Sequence, residues 1–212
     1  MRLLLIRHGQ TPSNVIRALD TGAPGPGLTE LGLQQAAALV AALASEQIGA
    51  LFASNLHRAQ LTAAPLAEAL GLEVAVREGL REIAAGWLEM RSDAESIVAY
   101  HGVLEAWMRG HHDARLDGGE ACADVYARFN AVIEEAEAVA AELAALRAQT
   151  PRPVVAIVSH GAMIRAWCGR HAVNLGADFA AAQNLANTGI VALTGSSAEG
   201  WTVETWEGSA IV

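Results

Sequence analysis

Two histidines in this chain share one setting. His8 follows the apolar run Leu3–Ile6 and Arg7, and Gly9 comes next; His160 follows Val154–Val158 and Ser159, and Gly161 comes next. A neutral imidazole can act as a nucleophile or carry a proton. A glycine beside it lets the backbone turn tightly or approach a ligand. A helix starting after His160 would add free N–H groups and a positive dipole end, which suit an anion. Arg58 falls in the first turn of a helix predicted after the second strand. Arg7, Arg58, His8 and His160 could therefore converge as an anion pocket with an imidazole nucleophile. Phosphate is the natural guest, because a planar guanidinium meets its oxygens in pairs. Taken singly, a histidine at a strand end is more often a hydrogen-bonded structural residue, and Arg58 alone would be a surface charge. Spacing by itself leaves both readings open.

The elements that would position these residues read as alternating strands and helices. Strands are predicted at Leu3–Ile6, Ile48–Ala53, Glu73–Val76 and Val154–Val158, the last being an apolar run bounded by polar residues. Thr29 is placed to cap a helix from Glu30 to about Ala44, and Ser54 to cap one reaching about Leu70. A long Ala/Glu helix is predicted from about Ala121 to Ala148, ended by Pro151 and Pro153, with Glu134, Glu135 and Glu137 on its solvated face. A further helix begins at about Ala162. Ile190–Thr194 and Trp201–Trp206 suggest a closing hairpin. The expected fold is α/β, a mainly parallel central sheet flanked by helices, with one domain over residues 1–212. The chemistry of such sheets lies beyond the carboxyl ends of the strands. The span of about 83–120 has little clean periodicity and reads as a helical insertion over the active site. Trp87 and Trp107 are expected to pack it, with His111 and His112 in a solvated loop.

The totals exclude several classes. The 212 residues are 52% hydrophobic, yet no run reaches the ~20 apolar residues of a membrane span. Only four apolar residues separate Arg2 from Arg7, too few for a secretory signal. Net charge is −9, and all 14 basic residues are arginine, without a basic run; this argues against a nucleic-acid partner. Cys122 and Cys168 have no CxxC or Cys/His spacing, so neither a metal nor a disulfide framework is expected. They read as small buried hydrophobes. The expectation is a cytoplasmic protein without cofactor, nucleic acid or membrane as partner. The C-terminal hairpin offers a sheet edge through which a homodimer could form.

An ordered set of motifs resembles the histidine phosphatase superfamily, the phosphoglycerate mutase-like proteins. It comprises RHGQT (7–11) with Asn14, LTELGLQQA (28–36), SNLHRAQLTA (54–63), LREIAAGWLE (80–89), DGGEACADVYAR (117–128), VSHG (158–161) and NTG (187–189). The resemblance implies that His8 becomes a phosphohistidine. It implies that Arg7, Arg58 and His160 hold the phosphoryl oxygens, helped by Asn14 and the Gly161 backbone. Glu82 falls where the family keeps its proton donor. Gln10, Thr11, Gly22 and Ser54 would lie nearby with lesser roles. The resemblance also implies metal-free chemistry on a small phosphorylated substrate.

Three departures touch the leaving-group side and leave the phosphate ligands intact. Ala85 stands before Gly86 where an aromatic is usual, the segment after it reads Trp87-Leu88-Glu89-Met90, and Ala121 replaces the serine of a GGES motif. Glu120 is expected to support the site rather than react. The first reading is a phosphomonoesterase. A cofactor-dependent phosphoglycerate mutase is the alternative, against which the short chain counts. A non-catalytic phospho-ligand module is a third reading, against which the presence of both His8 and Glu82 counts.

Overall fold

A computed structural model of the chain describes residues 1–146 and 153–211. Its sheet has seven strands: β1 (Arg2–Arg7), β2 (Ile48–Ser54), β3 (Val74–Arg77), β4 (Val154–Ser159), β5 (Ile190–Ser196), β6 (Gly200–Trp206) and β7 (Ser209–Ala210), in the order β3-β2-β4-β1-β5-β6-β7. The first four run parallel and the last three antiparallel. The expected hairpin is thus β5 and β6, but β5 pairs with β1 and extends the sheet. Both faces of the parallel part are covered, so its strands are continuously apolar rather than alternating. Leu3, Leu5, Val155 and Ile157 face one core layer with Phe129, Trp167 and Trp201. Leu4, Ile6, Ala156 and Val158 face the other, with Leu39, Ala63 and Leu66.

The second layer comes from α2 (Glu30–Ala42) and α3 (His57–Leu70), which follow α1 (Pro12–Val15) in the chain. Thr29 caps α2 as expected, accepting from Gly32 N. Ser54 does not cap α3; the N-cap is Leu56, without a side-chain bond, and the Ser54 hydroxyl is used elsewhere. The short α1 was not anticipated. It is a capping box in which Thr11 and Asn14 bond each other's backbone N–H, with Pro12 at the first helical position. A close approach holds the loop before it: a Cβ on Gly9 would come 2.7 Å from the Gly32 carbonyl oxygen.

Opposite lie α4 (Ala94–Met108), α5 (Cys122–Leu146) and α6 (Gly161–His171), with the unanticipated α7 (Ala177–Ala182) packed on α6 and α4. The expected run of α5 to Ala148 and its stop at Pro151 lie outside the described residues. Single 3₁₀ turns occupy Glu78–Leu80 and Gly86–Leu88. The insertion therefore contributes one long helix, α4, capped by Asp93. Trp107 is buried in it, but Trp87 is 79% exposed and does not pack its core as expected. His111 and His112 are exposed, and Cys122 and Cys168 are buried free thiols. Glu134 is exposed, whereas Glu135 pairs with Arg77 at 2.5 Å and Glu137 accepts from Ser197 N. No helix among the described residues is long and apolar enough to cross a membrane.

Candidate active site

Strand register brings the two histidines together. β1 and β4 are parallel neighbours with Arg7 opposite Ser159, so the next residues, His8 and His160, leave the sheet side by side. His8 N bonds Ser159 O at 3.0 Å, and the imidazole centroids are 5.1 Å apart. β2 ends one strand over, and its Ser54 hydroxyl lies 2.8 Å from His160 Nε2. The hydroxyl expected to cap a helix thus orients a site histidine. Arg58 enters from the first turn of α3 and is 2% exposed. Gly161 opens α6 where a Cβ would come 3.1 Å from Arg7 Nε, so glycine lets that guanidinium lie against the helix start.

Hydrogen bonding sets the state of His8. Its Nδ1 lies 2.7 Å from Gly9 O, an acceptor only, so Nδ1 carries the proton and Nε2 presents its lone pair. That lone pair accepts from Arg58 Nε at 3.2 Å. Burial pushes the His8 pKa well below the ordinary histidine range, and the charges of Arg58 and Arg7 push it further. His160 is held down in the same way, first by burial and then by Arg58. Both imidazoles are neutral near pH 7. Three buried nitrogens here lack a partner among the described residues: Arg7 Nε, Arg58 Nη1 and His160 Nδ1. Leaving a buried donor unsatisfied costs about 1–3 kcal/mol. Arg58 Nη1 lies against Gly25, whereas Arg7 lines the pocket with His8 and the His160 ring lies next to that of His8, where an acceptor with several oxygens would serve them.

Glu82 closes the pocket from the other side. Its Oε1 accepts from Ile83 N and Met163 N, both at 2.9 Å, and its Oε2 from Ala162 N at 3.2 Å. The carboxyl is pinned to the start of α6, beside both histidines. Its loop is fixed from behind. Arg128 donates to the carbonyls of Gly79, Arg81 and Glu82 and, through Nε and Nη2, to both Glu120 oxygens. Glu120 also accepts from Arg81 and from Ala84 N, so it is engaged in scaffolding. Glu89 accepts from the N–H groups of Thr21 and Gly22 and holds that loop.

The pocket is lined by Arg7, His8, Thr11, Asn14, Arg58, Glu82 and Gly161 from the expected set. Gln10, Gly22, Ser54 and His160 are not in its wall; His160 and Ser54 are fully buried behind it, the His160 ring 5.1 Å from that of His8. The Gln10 side chain accepts from Thr29 at 3.0 Å, toward α2, and the Gly22 N–H is taken by Glu89. Asn14 Oδ1 is shared by Thr11 N and Asn187 Nδ2. Asp20, Thr21, Tyr100, His101 and Arg165 also line the pocket and were not anticipated. For Arg165 the signal was its four-residue spacing from Gly161, which puts both on one helix face. For Tyr100 and His101 no local pattern pointed inward. No group of three or more His, Cys, Asp or Glu that could hold a metal occurs among the described residues.

Comparison with known proteins agrees with this geometry. Residues 3–208 match the histidine phosphatase superfamily (branch 1). A glucosyl-3-phosphoglycerate phosphatase of Mycobacterium tuberculosis is 33% identical over 220 residues, covering 100% of this chain and 96% of that protein. A segment of 85 residues is 53% identical to a PE-PGRS family protein of Mycobacterium tuberculosis, covering 40% of this chain and 15% of that much longer protein. Among solved structures, a mycobacterial glucosyl-3-phosphoglycerate phosphatase in complex with VO3 superposes with a TM-score of 0.75 at 31% identity, over 98% of this chain and 99% of that one.

Proposed function

The chain belongs to the histidine phosphatase superfamily and is a phosphoric monoester hydrolase of it, and we propose that it releases phosphate from a small phosphorylated metabolite through a phosphohistidine on His8, without a metal. The observation that carries this reading is the Nε2 lone pair of buried His8, held by Arg58 Nε, with two buried donors of the neighbouring Arg7 and His160, Nε and Nδ1, left without a partner among the described residues. Phosphoryl oxygens satisfy both donors, and Arg58 Nε, Asn14 and the Gly161 N–H complete the cradle. As phosphate enters, Arg58 Nε gives up its bond to Nε2 and the lone pair becomes the nucleophile. Nε2 forms a bond to phosphorus while the ester P–O bond breaks. The leaving alkoxide takes a proton from the Glu82 carboxyl. Water then gives a proton to Glu82 and attacks phosphorus, the P–N bond breaks, and inorganic phosphate leaves. The guanidinium charges and His160 stabilise the phosphoryl group in both steps.

Residues 83–120 act in this reading as the cap of a single domain, supported by Tyr100 and His101 in the pocket wall. Gln10 and Gly22 act indirectly, through the loops they brace. The acidic charge of the chain, without a basic run, supports action on metabolites rather than on nucleic acid, and the enzyme is read as cytoplasmic. The mutase alternative is less supported, since the full-length relatives compared above are named as phosphatases. The test is turnover of p-nitrophenyl phosphate and of 3-phosphoglycerate, with and without 2,3-bisphosphoglycerate. A phosphatase releases inorganic phosphate from both substrates without the bisphosphate. Isomerisation to 2-phosphoglycerate that depends on the bisphosphate would establish the mutase, and no turnover at all the binding module.

A further inference from the structure

The pocket holds a cation that phosphate chemistry at His8 does not use. Arg165, on α6, lines the same cavity, yet no carboxylate pairs with it among the described residues. Its Nε donates to Ala180 O at 3.3 Å and its Nη2 to Ala181 O at 2.6 Å, which clamp the guanidinium against α7. Nη1 makes no hydrogen bond to the described residues. Glu105, whose charge acts on Arg165 through space, is bridged to Arg109 at 3.5 Å. Facing the same space is His101 of α4, whose Nδ1 is buried without a partner. Burial and the Arg165 charge both keep that imidazole neutral.

We propose that Arg165 and His101 form a second anion subsite, which takes a carboxylate carried by the leaving group of the phosphate ester. The proposal rests on the phosphatase reading and deepens it. The charge available selects the group. The phosphoryl subsite sets two guanidinium groups, an imidazole and a helix start around a dianion. The second subsite offers one remaining guanidinium nitrogen and one neutral imidazole nitrogen, two donors for one negative charge. That matches a planar monoanion rather than a second phosphate. Arg7 and Arg165 line one cavity, so one small molecule can bridge the two subsites. The substrate class is then a phosphorylated hydroxy acid or a derivative of one.

The test compares 3-phosphoglycerate with glycerol 3-phosphate, which differ by a carboxylate in place of a hydroxymethyl group. Wild type should favour 3-phosphoglycerate in kcat/KM. Arg165→Gln should lower kcat/KM for it by about 10- to 100-fold, as for loss of a hydrogen bond to a charged group, and should change glycerol 3-phosphate by less than about threefold. Arg165→Lys should restore part of the preference, and His101→Phe should weaken it. Equal losses on both substrates in Arg165→Gln would overturn the assignment. If the variants do not fold, the wild-type pair still decides, because equal or inverted kcat/KM removes the need for a carboxylate subsite. Turnover of p-nitrophenyl phosphate without that preference sinks only the subsite. Absence of turnover on every ester sinks the phosphatase reading itself.

Discussion

Replacing Glu82 by glutamine separates its two duties. Oε1 already accepts two N–H bonds, from Ile83 and Met163, whereas Oε2 accepts one, from Ala162. Oε2 is thus the oxygen with room for the catalytic proton. A glutamine keeps its oxygen where the two donors meet, so its NH2 must face Ala162 N. One hydrogen bond is lost and two donors oppose each other, a cost of about 1–3 kcal/mol. At about 2–4 °C per kcal/mol for a chain of this size, Tm should fall by several degrees. Any small shift of α6 affects every substrate alike, whereas loss of the acid depends on the leaving group. An alkoxide such as that from glycerol 3-phosphate needs the proton, so kcat/KM should drop by about 10²–10⁴-fold. p-Nitrophenolate leaves unaided near neutral pH, and its loss should be much smaller. The assay is steady-state kinetics on both esters, with thermal unfolding of the same samples. Equal losses on both would refute Glu82 as the acid. The same leaving-group dependence in Glu120→Gln, absent in Glu82→Gln, would move the donor to the GGEA segment.

Further outcomes follow from the same geometry. His8→Ala should remain folded and lose nearly all turnover, while wild type quenched in mid-reaction should yield an acid-labile, alkali-stable phosphoenzyme; substantial activity in the purified variant rules the nucleophile out. EDTA should leave kcat/KM unchanged and vanadate should inhibit competitively, and restoration of a chelated enzyme by a divalent metal would contradict the mechanism. Stability should also fall with acid. Burial lowers the folded-state pKa of both His8 and His160. Below pH about 6.5 the unfolded chain therefore binds protons that the folded chain does not, and unfolding is favoured. Their contribution is fully present above that pH and is lost as pH falls through the window below it. Urea midpoints should therefore decline from pH 7.5 to 5.5 and do so less steeply in His8→Gln; a flat or rising profile would exclude buried neutral histidines.

What could be read from the sequence was what local rules control. Apolar runs ending in Arg7-His8 and Ser159-His160 located the adjacent strands, and Thr29 marked its helix start. That both strands deliver a histidine to one sheet edge could be read from their shared setting, whereas the register that makes them direct neighbours is a long-range pairing that local spacing leaves open. Ser54 was misassigned as a cap because a serine after a strand caps a helix in most contexts; its bond to His160 crosses strands, and only the resemblance had set it near the site. Trp87 was expected to pack because it is large and apolar, but it sits on a 3₁₀ turn against Gly118 rather than in α4. Gln10 and Gly22 sit close in sequence to pocket residues, and the backbone turns their polar groups away. Tyr100 and His101 were illegible as site residues because α4 needed an apolar face and the pocket is a gap beside it, whereas Arg165 could have been found from its spacing to Gly161 on α6.

The brace on the Glu82 loop has an evolutionary consequence. The acid's backbone is tied to α5 through Arg128, and its carboxyl to α6. The cap helix α4 touches this loop by one hydrogen bond, from the Tyr100 hydroxyl to Ile83 O at 2.9 Å. Most of the polar ties that fix the proton donor therefore lie outside the cap. The core face of α4, with Tyr100, Leu104 and Trp107, packs in one cluster with Ile83 and Ala85 and is held to that duty. Only the pocket-facing residues of α4, such as His101, are left for a lineage to change when it exchanges one leaving group for another.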